Sequence, residues 1–148
     1  MDHEIILSGI RDEGIRINIE KIHTNPDLKL TGYEDCFGTI SIRAGYFSTS
    51  EPGPLWTSMN ALAQFCRELD ACWHTLSGDA GHATYENNLM LTLSMTEHGH
   101  GIVRGSYHPD FTTDNILQFS FETDQTYLAQ TIRCLRHFLN SAADSTTI

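Results

Sequence analysis

Positive charge is scarce in this chain. Nine Lys and Arg stand against nineteen Asp and Glu in 148 residues, a formal charge of −10. That balance excludes nucleic acid as the expected partner, because its binding proteins need cations to displace counterions from phosphates. It argues equally against an anionic membrane surface. Long apolar runs are also lacking. No window reaches the ~18 continuous apolar residues that span a bilayer. The acidic start Met1-Asp2-His3-Glu4 has neither the basic flank nor the apolar stretch of a secretion signal, so a cytoplasmic location is expected. The cysteines at 36, 66, 72 and 134 include no C-x-x-C pair, which removes a ribbon-type zinc site and a thioredoxin-type redox pair. Cys66 and Cys72 would lie about 9 Å apart along one helix, too far to join. All four read as reduced thiols.

Catalytic signatures are missing as well. The chain has no G-x-S-x-G elbow, no H-E-x-x-H, no G-x-G-x-x-G and no phosphate loop. Among eight histidines, His98 and His100, with His108 approaching from elsewhere, are the best metal candidates. A metal-dependent enzyme built on them is the alternative reading. Gly99 between the first two suggests a turn that would aim the rings apart, and a histidine pair at a loop tip is usually solvated. His74 and His137 fall near the ends of expected helices, where a cation suits the dipole. The residues point to a non-enzyme with no cofactor.

What is present is a regular alternation of elements. With 40% hydrophobic and 19% charged residues, the chain has material for a core and no composition of disorder. Period-2 patterning predicts strands at 4–10, 15–22, 28–33 and 39–47, then at 81–86, 89–96, 101–107 and 116–122. Arg11-Asp12-Glu13-Gly14, Asn25-Pro26-Asp27 and Asn87-Asn88 read as turns. Steps of three and four through Trp56, Met59, Leu62, Cys66, Leu69 and Trp73 predict a helix over 55–76 closed by Gly78. Leu117, Phe119 and Phe121 alternate with Gln118, Ser120 and Glu122. Thr123 and Asp124 then offer cap oxygens to a helix over 125–140. The expected fold is α+β: a mainly antiparallel twisted sheet of about eight strands, with two amphipathic helices packed on one face. Residues 1–140 form one domain, and 141–148 read as a flexible polar tail.

If successive strands are antiparallel neighbours, the turns at Asp12, Glu13, Glu34 and Asp35 share one end of the sheet, and the Glu97 turn joins them. That would gather carboxylates on one rim.

Four ordered segments resemble the WapI-type bacterial immunity family: Leu76-Ser77-Gly78-Asp79-Ala80, Tyr85-Glu86-Asn87-Asn88-Leu89, Gly99-His100-Gly101, and Phe119-Ser120-Phe121-Glu122-Thr123-Asp124-Gln125-Thr126-Tyr127-Leu128. The resemblance covers roughly residues 36–140 and lies in caps, turns and strand ends. It implies a small cytosolic, non-catalytic protein. The family's namesake neutralises the nuclease tip of a wall-associated, contact-dependent toxin. The implied partner is a basic toxin domain, which an acidic inhibitor would capture quickly. Asp12, Glu13, Glu34, Asp35 and Glu97 are then candidate contacts, with the uncovered sheet face a second candidate. A homo-oligomeric structural domain using an open sheet edge is a further alternative.

Overall fold

A computed structural model describes residues 3–23 and 34–146. The elements run β1 (His3–Ser8), β2 (Gly14–His23), β3 (Asp35–Ala44), β4 (Phe47–Ser48), β5 (Gly53–Ser58), α1 (Met59–Thr75), β6 (Asp79–Ala83), β7 (Leu89–Met95), β8 (His100–Tyr107), β9 (Leu117–Asp124) and α2 (Gln125–Thr146). The fold is α+β and antiparallel, as the pattern predicts. Nine strands among the described residues divide into two sheets instead of forming one. In the first, β2 lies between β1 and β3, and β3 carries both β4 and β5 on its other side. The second is the simple meander β6-β7-β8-β9. The expected strand at 28–33 and the Asn25-Pro26-Asp27 turn lie outside the described residues.

Alternation sets the core. Ile15, Ile17 and Ile19 of β2 point inward with Ile40, Ile42 and Ala44 of β3, and Leu89, Leu91 and Leu93 of β7 do the same in the second sheet. α1 adds Leu62, Phe65, Cys66 and Leu69, and α2 adds Leu128, Ile132, Leu135 and Phe138, so both sheets and both helices share one continuous core. α2 packs on β1, α1 packs on β6, and the helices touch each other.

Two seams join the sheets. At one, the Ile10 amide donates to Glu122 O at 2.9 Å. Beside it, Thr123 Oγ1 donates to Ser8 O at 2.7 Å and Thr131 Oγ1 to Ile6 O at 2.8 Å. A Cβ on Gly9 would stand 2.7 Å from Phe121 Cδ2, so only glycine passes there. At the other, the Tyr107 hydroxyl donates to Pro54 O at 2.8 Å and covers Gly53. Pro54 has no N–H to give a further strand, which suits the edge position of β5. One backbone bond and a few side-chain bonds, and not a continuous ladder, close the first sheet onto the second. That is why one expected sheet became two.

Several boundaries differ from expectation for local reasons. Residues 53–58 are strand, and the helix begins only at Met59. Leu55 and Thr57 alternate inward against β3 while Trp56 faces out. Ser58 then caps α1, its Oγ accepting from Ala61 N at 3.0 Å. Leu76 at φ 53, not Gly78, ends α1, and its amide bonds Cys72 O. The strand expected to run to Phe47 breaks after Ala44, and Tyr46 stands fully exposed in the turn made by Gly45 at φ +60. At the second helix, Asp124 Oδ1 caps Tyr127 N at 3.0 Å, whereas Thr123 is spent on Ser8 instead of capping. α2 runs on past Asn140 to Thr146, because Ala142 continues the Leu135–Phe138 stripe and is buried.

Candidate functional site

The outer face of the first sheet is covered by neither helix. Along β1, β2 and β3 it presents Glu4, Arg16, Asn18, Thr39, Ser41 and Arg43. Its two ends differ in chemistry.

At the Arg43 end, an open depression is lined by Ile6, Asp12, Arg16, Ser41, Arg43 and Thr49. Its charges are internally matched. Asp12 Oδ2 lies 3.8 Å from Arg43, and Glu4 Oε2 lies 3.8 Å from Arg16. Glu13 Oε2 accepts from the Gly45 amide at 2.6 Å, tying the first hairpin to the β3–β4 turn. Such exposed ion pairs stabilise little, but they leave this end electrically mixed.

At the Asp35 end lies an aromatic ridge. Phe37 of β3 stacks on Trp56 of β5, with ring centres 5.8 Å apart and planes within 10°. Tyr85 leans on Trp56 from the other side at 4.6 Å. The three rings are 37%, 40% and 40% exposed. Tyr85 starts a single 3-10 turn, Tyr85–Asn87, in which Glu86 and Asn87 adopt φ 60 and 58. This sparsely populated backbone aims the tyrosine across the inter-sheet gap. Its hydroxyl donates to Asp35 Oδ1 at 2.9 Å. Burial, followed by that bond, raises the Tyr85 pKa. Lys21 sits opposite Phe37 in the ladder, and His23 opposite Asp35.

The expected acidic rim is thus split. Gly14 pairs with Arg43 and His23 with Asp35, so the Asp12–Glu13 turn and the Glu34–Asp35 pair occupy opposite ends of β3. Eight residues of strand separate Asp35 from Arg43, about 26 Å. Glu97 is exposed in the β7–β8 turn, 4.0 Å from His98. That turn precedes His100, which pairs with Asp124, so it lies toward the Ile10–Glu122 seam and away from Asp35. Sequence adjacency to a turn did not reveal which end each turn would take.

The histidines disperse as well. His98 (φ 63) and His100 flank the start of β8, whereas His108 follows its far end. His108 Nε2 lies 2.7 Å from Thr113 O, and its ring meets Phe111 edge-on. No group of three or more His, Cys, Asp or Glu positioned for a metal occurs among the described residues. All four cysteines are free; Cys36, Cys66 and Cys72 are buried. Burial pushes the Cys36 thiol up to about 12, helped by Asp35 and Glu34, so its nucleophilic thiolate is suppressed.

The aromatic ridge was missed because Trp56 fits a helical step to Met59. The signal that could have found it is Gly53-Pro54 followed by apolar–aromatic–Thr alternation, a strand signature placed just before an N-cap serine.

A model of the Immunity protein WapI-like family matches residues 6–142, nearly the whole chain. The chain belongs to that family. Comparison with curated proteins and with solved structures finds no match. Among the described residues no helix is long and apolar enough to cross a membrane.

Proposed function

We propose that this chain is a non-catalytic immunity protein that works in the cytoplasm, binding a cognate toxin domain and blocking it by occlusion. The family match over residues 6–142 carries the reading. The toxin domain is basic, of the nuclease kind, and the formal charge of −10 supports this choice. A nuclease must grip phosphates with cations, and an acidic surface attracts the same cations over several ångströms. Blocking requires no nucleophile, metal or cofactor. The contacts come from the uncovered face of the first sheet and from carboxylates among Asp12, Glu13, Glu34, Asp35 and Glu97.

The test is titration of the purified chain into the toxin domain encoded by the neighbouring gene, with catalytic activity as the readout. Stoichiometric inhibition that weakens as salt rises is expected. Reversing Asp35 to Lys slows association and flattens the salt dependence. Full toxin activity in the presence of excess chain would refute the reading.

A further inference from the structure

The ridge of Phe37, Trp56 and Tyr85 is built for contact in a way the rest of the face is not. Large aromatic side chains are ordinarily buried, and interfaces are enriched in Trp and Tyr because few torsions must be frozen when they bind. Here three rings from three separate segments pack against one another, Phe37 stacked on Trp56 and Tyr85 tilted against it, and still stand more than a third exposed. Their positions are held in advance, Tyr85 by its bond to Asp35 and by the positive-φ turn that follows it. A partner therefore meets a surface that needs no rearrangement.

Edge positions on β1, β5 and β6 are already engaged. On β1, the outward carbonyls of Ile6 and Ser8 are taken by Thr131 and Thr123. On β5, Pro54 O is taken by Tyr107. On β6, the Gly81 amide is taken by Glu68 Oε1 at 2.9 Å. Strand addition at these positions would have to break existing bonds, which leaves the face of the sheet as the open surface.

We propose that this aromatic ridge, rimmed by Asp35 and the exposed Glu86, is the centre of the toxin-binding surface and receives an arginine- or lysine-bearing patch of the toxin domain. The inference rests on the immunity reading above and names its contact. Charge complementarity selects the occupant. A guanidinium stacks on an aromatic face while its N–H groups reach a neighbouring carboxylate, and the ridge places both kinds of group side by side. Lys21, opposite Phe37, is the cation on the ridge's own flank, and a basic partner approaches from the Tyr85 side, away from it. A second copy of this chain fits poorly, since it would press Asp35 and Glu86 against their own like charges on a molecule already at −10.

The experiment measures binding of the wild-type chain and four variants to the toxin domain encoded by the neighbouring gene. Trp56→Thr keeps a strand-forming residue on β5, and Tyr85→Ser alters a different segment, so either one carries the test should the other fail to fold. Each is expected to weaken affinity at least about thirtyfold, chiefly through faster dissociation, with an unchanged circular dichroism spectrum. Trp56→Phe restores most of the affinity. Glu86→Gln slows association and lowers its salt dependence. If the wild type binds and both Trp56→Thr and Tyr85→Ser bind within about threefold of it, the ridge is not the interface, although the immunity reading stands. Failure of the wild type to bind removes both. A wild-type dimer by light scattering that Trp56→Thr dissolves would assign the ridge to self-association and overturn the proposal.

Discussion

His82 makes the stability of this fold depend on pH, and the size of the effect follows from its surroundings. It points inward from β6, is 5% exposed, and packs its ring 5.7 Å from that of Phe65. Nε2 lies 3.1 Å from Thr57 Oγ1, while Nδ1 is buried with no hydrogen-bond partner among the described residues. Burial lowers the pKa from 6.5 to about 4, against a smaller opposing effect of the Ala61 backbone. Because the folded value lies below the unfolded one, the unfolded state binds the extra proton between them. Stability is therefore full above the unfolded value and falls as pH drops toward the folded one. At about pH 5 the unfolded histidine is almost wholly protonated and the folded one about a tenth, which costs about 2 kcal/mol relative to pH 8. For a domain of this size that corresponds to a melting temperature lower by roughly 5 °C. The assay is urea unfolding of the wild type and His82→Gln at both pH values. The variant removes the titrating group and keeps an amide that can reach Thr57. Its stability should change about 2 kcal/mol less than that of the wild type over the same interval. Equal pH dependence in the two proteins would refute the reasoning.

The seams and caps give three further predictions. Gly53→Ala drives a methyl into the fully buried Tyr107 ring and should destabilise by about 1–3 kcal/mol in urea titration, with Tyr107→Phe in the same background showing whether the hydroxyl is the clash. Thr123→Val removes the donor to Ser8 O without changing shape, and a loss of about 1–2 kcal/mol is expected in the same assay; a neutral result would mean that solvent reaches that carbonyl. Asp124→Ala removes the cap of α2 and should cost about 1 kcal/mol, while Asp124→Asn retains most of it, as judged by thermal melts followed at helical wavelengths.

The legible parts of this chain are those whose cause is local. Ile15-Arg16-Ile17-Asn18-Ile19 and Leu117 to Glu122 alternate so cleanly that inward and outward sides could be assigned from residue type, and both strands form where expected. Asp124 reads as a cap because capping involves only the next three residues. Short apolar stretches were less legible. Trp56 satisfies both a helical and a strand period, and the ladder with β3, twenty residues away in sequence, resolves the choice.

By itself, then, the sequence determined the α+β class, most strands, both helices, the acidic surplus and the family. All but the family follow from composition or from periods a few residues long; the family rests on the resemblance of four ordered segments. Only the tertiary structure decided which turns share an end, and it placed the Asp12–Glu13 turn at the Arg43 end of β3, about 26 Å along the strand from Asp35, where the sequence had gathered them. It likewise sent His108 to the opposite end of β8 from His98 and His100. It brought Phe37, Trp56 and Tyr85 together from three segments. The reason is the register of nonlocal strand pairing, selected by burial across the whole core, which no local pattern encodes.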